Sequence, residues 1–303
     1  MRDFLLFSAI TLAWGGNWLF VKMGLETSPP FWLASIRFII AFLSMSAIVL
    51  ISKADYGPVK RNFWRIMLVG TLSYGVGYGL IHLGQGSVSA GTASVLFAAI
   101  PFFVAIFSLK FLPDERLDYI KVAGIAVGFA GIVVIYLGDI SLQGPSALVG
   151  AGMITVSSAT AAFTTVYIRR YLREVDPILL THTQMIPGFV ILFFFALLLE
   201  DSSAIQFNTN TVVSVLYLGL FGTAFSFWGF FYLLARVNAV KLSLIGFLTP
   251  VVALSLGWLF LGEMMSARFA LGTVLVLCGV WFASRESAPR SISHRDQGNY
   301  QKS

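Results

Sequence analysis

One cysteine, Cys278, and three histidines are all that this chain of 303 residues offers to a disulfide or a soft metal. A single thiol cannot bridge within one chain, and no Cys/His pair has the spacing of a metal site. No cofactor is expected. Charge is scarce as well: Asp, Glu, Lys and Arg make up 11% of the residues, against roughly 25% in a soluble domain. All 14 acidic residues fall in loops or at the ends of apolar runs. A proton-carrying carboxylate at mid-membrane is therefore missing, which disfavours proton antiport through a buried Asp or Glu. HExxH is absent, and the Ser and Thr residues inside the apolar runs have no convincing His–Asp partners. A membrane-embedded enzyme is the weaker reading.

What the chain has in excess is apolar surface. Apolar residues make up 57% before glycine is counted, where soluble proteins reach roughly 45–50% with glycine included. The surplus must face lipid. A bilayer core takes about 20 residues of helix, because no backbone group can go unbonded there. Runs of that kind predict helices at 4–23, 32–52, 63–83, 90–112, 119–137, 147–167, 178–199, 211–235, 239–261 and 267–284. The expected fold is an all-α polytopic membrane protein of ten transmembrane helices. The first run has the flavour of a signal peptide but no small-x-small cleavage site, and reads as a retained helix. Residues 285–303 are polar, include Pro289 and Gly298, and predict a disordered cytoplasmic tail.

Charge placement sets the orientation. A net charge of +6 could suggest nucleic acid, but the basic residues sit beside the apolar runs. With the amino terminus in the cytoplasm, 17 of the 20 Lys and Arg residues fall on inner segments, leaving Lys22, Arg37 and Arg268. Dropping or adding one mid-chain helix would reverse every later loop and destroy this bias. The expectation is a multi-pass protein of the cell inner membrane with both termini cytoplasmic and no nucleic-acid partner. Monomer and homo-oligomer both stay open.

The chain also repeats itself. A shift of 149 pairs Gly70 with Gly219, Tyr78 with Phe227, Ala90 with Ala239, Ser94 with Ser243 and Pro101 with Pro250. A shift of 148 pairs Glu115 with Glu263, Gly124 with Gly272 and Gly131 with Gly279. Near the front, 147 pairs Pro30 with Pro177 and Arg37 with Gln184. The expected copies span 4–137 and 147–284, with the boundary near 138–148. Five helices is an odd number, so the second copy must lie upside down relative to the first. Inverted halves of this kind suit alternating access to a small-molecule site between them. A channel or scaffold would not require them.

The segments AWGGNWLFVKMGL, PPFWLASIRFIIAF, ASVLFAAIPFFVAIFSLKFLPDE and KVAGIAVGFAGIVVI, echoed by SLIGFLTPVVALSLGWLFLGE and LGTVLVLCGVWF, resemble the drug/metabolite transporter superfamily, EamA type. The resemblance runs from Phe4 to Ser284. It implies a ten-helix secondary transporter with a central cavity, exporting amino acids or related metabolites. Uniport or exchange of another metabolite or drug-like compound is the alternative.

Six residues are candidates for the substrate site. Trp14, Asn17 and Trp18 lie three and four residues apart, on one face of helix 1. They suit either a cavity wall or helix packing. Tyr74, Tyr78 and His82 form an i, i+4, i+8 stripe among Gly75, Gly77 and Gly79. The two tyrosines offer hydroxyls to a cavity, whereas His82 is expected to be solvated near the outer end. Arg37 inside helix 2 is either a clamp for a substrate carboxylate or a side chain that snorkels outward. Pro101 and Pro250 predict kinks, static or hinged, in helices 4 and 9, and Pro187 a further break in helix 7. Glu115 and Glu263 precede helices 5 and 10 and are expected to satisfy the free amides there.

Overall fold

The computed structural model describes residues 2–52, 54–111, 119–135, 144–234, 239–263 and 266–283, and among them every regular element is a helix. Seven are long and apolar enough to cross a membrane: α1 (Asp3–Leu25), α2 (Pro30–Ile51), α3 (Phe63–Gln85), α4 (Ala90–Phe111), α6 (Pro145–Tyr171), α7 (Pro177–Leu199) and α8 (Thr209–Phe230). The helices α5 (Tyr119–Ile135), α9 (Ala239–Leu261) and α10 (Ala267–Ala283) carry shorter apolar stretches. Glu115, the tail 285–303 and most of the expected boundary at 138–148 lie outside the described residues.

Helix starts follow from local chemistry. Pro30, Pro145 and Pro177 open α2, α6 and α7, where a missing N–H costs nothing. The Asp176 carboxylate accepts from Ile178 N at 2.8 Å. Ser89, Asn208 and Ser266 accept in the same way from Thr92, Thr211 and Phe269, each at 3.0 Å. Proline acts unevenly inside the helices. The α-helical path of α4 breaks at Ala98–Ala99, just before Pro101, since Pro101 has no N–H to give to the preceding turn. Helices α7 and α9 carry Pro187 and Pro250 without interruption.

Two helices leave the ordinary α spacing. Thr71–Gly77 of α3 and Tyr217–Phe225 of α8 are wound as π-helix. Adding the repeat shift of 149 to 71–77 gives 220–226, so the two irregular stretches overlap. A π turn holds an extra residue and marks a local adjustment of the backbone, commonly where a site is built.

Packing recurs in exchanged pairs. A Cβ added to Gly70 of α3 would meet the Gln184 carbonyl of α7 at 2.5 Å, and one added to Gly219 of α8 would meet the Arg37 carbonyl of α2 at 3.1 Å. The first pair becomes the second when each residue is replaced by its repeat mate. Helices α5 and α10 do the same: Gly131 abuts the Gly272 carbonyl, and Gly279 abuts the Gly124 carbonyl. Likewise α4 packs on α6, while α9 packs on α1. Small residues let these backbones approach closely, which is how helices associate where no hydrophobic drive exists between them. Large apolar side chains such as Leu50, Trp64, Phe194, Leu198 and Trp258 remain exposed on the outside, a surface suited to hydrocarbon and not to water.

Candidate functional site

Arg37 of α2 lies between Tyr78, the residue after the π stretch of α3, and Thr223 in the π stretch of α8. The Arg37 side chain is 1% exposed. Its Nε donates to Thr223 Oγ1 at 2.9 Å, and its Cζ lies 4.8 Å from the centre of the Tyr78 ring. Thr223 in turn donates to the Leu218 carbonyl at 2.8 Å, five residues back. Arg37 therefore does not snorkel. It is held in the interior by a hydroxyl and by the face of an aromatic ring. No hydrogen-bond partner for its Nη2 exists among the described residues, and the ion pair found there, Arg61–Glu174, is elsewhere.

An aromatic path leads from Arg37 to α1. Phe38 lies between Tyr74 and Tyr78, with ring centres at 5.3 and 4.9 Å. The Tyr74 ring is 5.5 Å from Phe227, and Phe227 is 5.7 Å from Trp14. Tyr74 is 4% exposed, whereas Trp14, Tyr78 and Phe227 are half-buried. Phe227 joins the two predicted stripes, its ring meeting both Tyr74 and Trp14. It is the repeat mate of Tyr78, and Thr223 is the mate of Tyr74. That correspondence is the signal by which both could have been found.

The three candidates on α1 do not share one wall. Asn17 Nδ2 donates to the Gly222 carbonyl in the π stretch of α8 at 3.2 Å, and its Oδ1 is left without a partner among the described residues. Gly222 is required there, because a Cβ would sit 1.9 Å from Asn17 Oδ1. Trp18 turns the other way. It is 6% exposed and packs edge-on against Phe97 of α4 at 5.4 Å. Helix α1 lies between α8 and α4, so a spacing of four residues is enough to divide its side chains between two neighbours.

His82 corrects an expectation. It is 0% exposed, not solvated. The helix continues past it to Gln85, whose amide donates to the Trp18 carbonyl, and Gly84 beside it lies against Gly150 of α6. His82 Nδ1 lies 2.8 Å from the Tyr78 carbonyl. A carbonyl only accepts, so Nδ1 carries a proton and the neutral ring presents Nε2 as an acceptor. That nitrogen has no partner among the described residues.

Glu263 corrects another. Its carboxylate serves α4 and not α10, accepting from Ala90 N at 2.7 Å and Gly91 N at 3.1 Å. Gly262, at φ +64°, turns the chain so that the side chain points back across the bundle. Ser266 caps α10 in its place. Glu200 does the same for α2, accepting from Phe31 N and Trp32 N at 2.8 and 2.9 Å. Partial burial pushes the Glu200 carboxyl above its ordinary value, against the opposing pull of those two amides. Lys22 caps the turn between α3 and α4, donating to the carbonyls of Gln85 and Val88.

Two surface pockets lie away from the aromatic path. One, of about 620 Å³, is lined by Lys60–Arg65. The other, of about 340 Å³, is lined by Lys22, Glu26, Ser87, Ser89, Leu261 and Glu263.

The apolar exterior and the long helices make this a multi-pass membrane protein. The EamA-like transporter family matches it twice, over residues 2–137 and 148–285. A protein of Archaeoglobus fulgidus described as an uncharacterized transporter is 30% identical over 288 residues, covering 94% of this chain and 100% of its own length. The uncharacterized transporter YoaV of Bacillus subtilis is 27% identical, covering 94% and 97%. The uncharacterized inner membrane transporter YedA of Escherichia coli is 28% identical, covering 88% and 86%. A solved crystal structure superposes with a TM-score of 0.67 at 20% identity, covering 93% of this chain and 96% of its own, and shows the same fold. The chain belongs to the EamA-like transporter family.

Proposed function

We propose that this protein is a secondary transporter exporting amino acids or related small metabolites by alternating access, and not an enzyme. Its ten helices cross the inner membrane as two inverted copies, 4–137 and 147–284, followed by a cytoplasmic tail at 285–303. Both termini face the cytoplasm. Substrate meets Arg37, Tyr74, Tyr78, Trp14 and Asn17 between the copies, while Trp18 supports that wall from behind.

The observation that carries this reading is the setting of Arg37. It lies beside Tyr78 and Thr223, which occupy nearby positions in the two copies, and each is a neighbour of the other's repeat mate. A site lined by equivalent positions of two inverted halves can be exposed to either side by exchanging their conformations. The exchanged contacts of Gly70 with Gly219, and of Gly131 with Gly279, support that arrangement. The acidic residues among those described lie in loops or at helix ends, which favours uniport or exchange over carboxylate-coupled proton antiport.

The test is a screen of labelled metabolites in proteoliposomes, measuring counterflow with no pH gradient imposed. Saturable exchange of at least one compound is expected. Absence of any carrier-dependent flux across a broad panel would overturn the reading, and a strict need for a pH gradient would overturn its coupling.

A further inference from the structure

We propose that the substrate is a small organic monoanion whose carboxylate pairs with Arg37. This rests on the transporter reading above and narrows it to metabolites that carry an acid group without a charged amine.

A guanidinium withdrawn from water needs a compensating charge or a full set of acceptors. Arg37 has neither. Its Nε is matched by Thr223 and its face by Tyr78, while Nη2 is buried without a partner. No ion pair reaches it among the described residues. Among the described residues the acidic groups next to the spans stand at their ends, Asp3 in the first turn of α1 and Glu26, Glu174, Asp176, Glu200 and Glu263 beyond helix ends. Glu174 is paired with Arg61, and Glu200 and Glu263 are bound to backbone amides. No described residue supplies the counter-charge, and a bound anion would.

The geometry narrows the anion. A guanidinium presents N–H groups in a planar fork that fits a carboxylate. A phosphate dianion would call for a second buried cation, and among the described residues Arg37 is the only Lys or Arg that is buried. Lys22 is committed to two carbonyls at the end of α1, and Lys110 lies in the last turn of α4. A single positive charge selects a single negative one. The remaining groups fit a neutral, flat or apolar body. Trp14, Tyr74, Tyr78, Phe38 and Phe227 supply rings. Among the described residues Asn17 Oδ1, His82 Nε2 and Gln85 Oε1 are also buried without a partner, and such atoms accept from neutral donors such as a hydroxyl. An ammonium group would find no buried carboxylate among the described residues, so a zwitterionic amino acid fits less well than the matching acid.

The test uses the purified full-length protein in proteoliposomes with phenylacetate, 4-hydroxyphenylacetate, phenylacetamide, phenethylamine and phenylalanine as a matched set. Carrier-dependent uptake of the two carboxylates is expected to exceed that of the amide and the amine at least tenfold. An inside-positive potential is expected to speed carboxylate uniport. Arg37→Gln should abolish the preference, and Arg37→Lys should retain part of it, at equal membrane abundance and with cooperative melting retained. If Arg37→Gln does not fold, the wild-type preference for acid over amide still decides the matter. Uptake of the amine, the amide or phenylalanine in preference to the acids would overturn the anion assignment and leave the transporter reading standing. Carboxylate uptake unchanged in a folded Arg37→Gln would also overturn it. No flux of any member would count against both.

Discussion

Arg37 and Thr223 join α2 to the π stretch of α8 through a hydrogen bond of 2.9 Å, and the same hydroxyl donates onward to the Leu218 carbonyl. One threonine thus ties a buried charge to the irregular backbone of the second copy. Thr223→Val keeps the shape and removes both bonds. Interhelical hydrogen bonds within membranes average well under 1 kcal/mol, but a bond to a charged group is worth more, so a loss of about 1–2 kcal/mol is expected. Unfolding in detergent should show it as a lowered midpoint, restored by Thr223→Ser. An unchanged midpoint would mean that Arg37 finds another acceptor.

The aromatic path makes a comparison possible. Trp14→Ala, Tyr78→Ala and Phe227→Ala each remove a ring from the chain of contacts between α1 and Arg37. A lost stacking partner costs on the order of 1–3 kcal/mol of substrate affinity, the range for burying a large apolar side chain. Transport normalised to membrane abundance should fall roughly five-fold or more in each, at about 1.4 kcal/mol per decade. Phe193 is 38% exposed and its ring meets Trp32, so Phe193→Ala should change transport little. Equal loss in all four would mark the rings as packing residues.

Glu200 provides a pH test. Its folded pKa is raised above the ordinary value of 4.5, so between the two values the folded state binds more protons than the unfolded one. The stability that this group contributes is present below the unfolded pKa and is lost as pH rises through the raised one. Thermal midpoints of wild type and Glu200→Gln, followed upward from about pH 4, should diverge in that window, with the decline confined to wild type. A wild-type midpoint that instead climbs relative to Glu200→Gln would show the two backbone amides outweighing desolvation.

Orientation can be read by labelling in a Cys278→Ala background. Ser203 and Lys60 are exposed in connections between spans that the proposed topology puts on opposite sides, whereas Ser28 and Asn62 are buried and poor reporters. Ser203→Cys should react with an impermeant maleimide in intact cells, and Lys60→Cys only after lysis. The reverse pattern would invert the proposed topology.

The helices were legible because bilayer thickness and backbone hydrogen bonding dictate long apolar runs, and their predicted ends fall within a few residues of those observed. Basic residues at the ends, such as Arg169 and Arg170 of α6, helped for the same reason. What stayed hidden depends on partners far along the chain. Glu263 sits at a loop, yet its amides belong to α4, and only the turn at Gly262 decides that. His82 reads as an outer-end residue, yet α1 and α6 close over the end of α3. The π stretches have no local signature in TLSYGVG or YLGLFGTAF. They also displace the register, so that the i, i+4 stripe of Tyr74 and Tyr78 runs through a segment whose turns are not α turns. Thr223 and Phe227 could have been named by carrying Tyr74 and Tyr78 through the repeat shift.

The glycine contacts between α5 and α10 have a consequence for how such a chain changes over generations. Gly131 leans on the backbone of Gly272, and Gly279 on that of Gly124 and Gly128. Each copy's small residues are needed by the other copy's main chain. A methyl group gained in one half meets an obstacle that the same half cannot remove, because backbone, unlike a side chain, does not mutate away. At this seam the two copies have to be inherited as a pair, while elsewhere, as Arg37 against Gln184 shows, they have been free to take different side chains at equivalent positions.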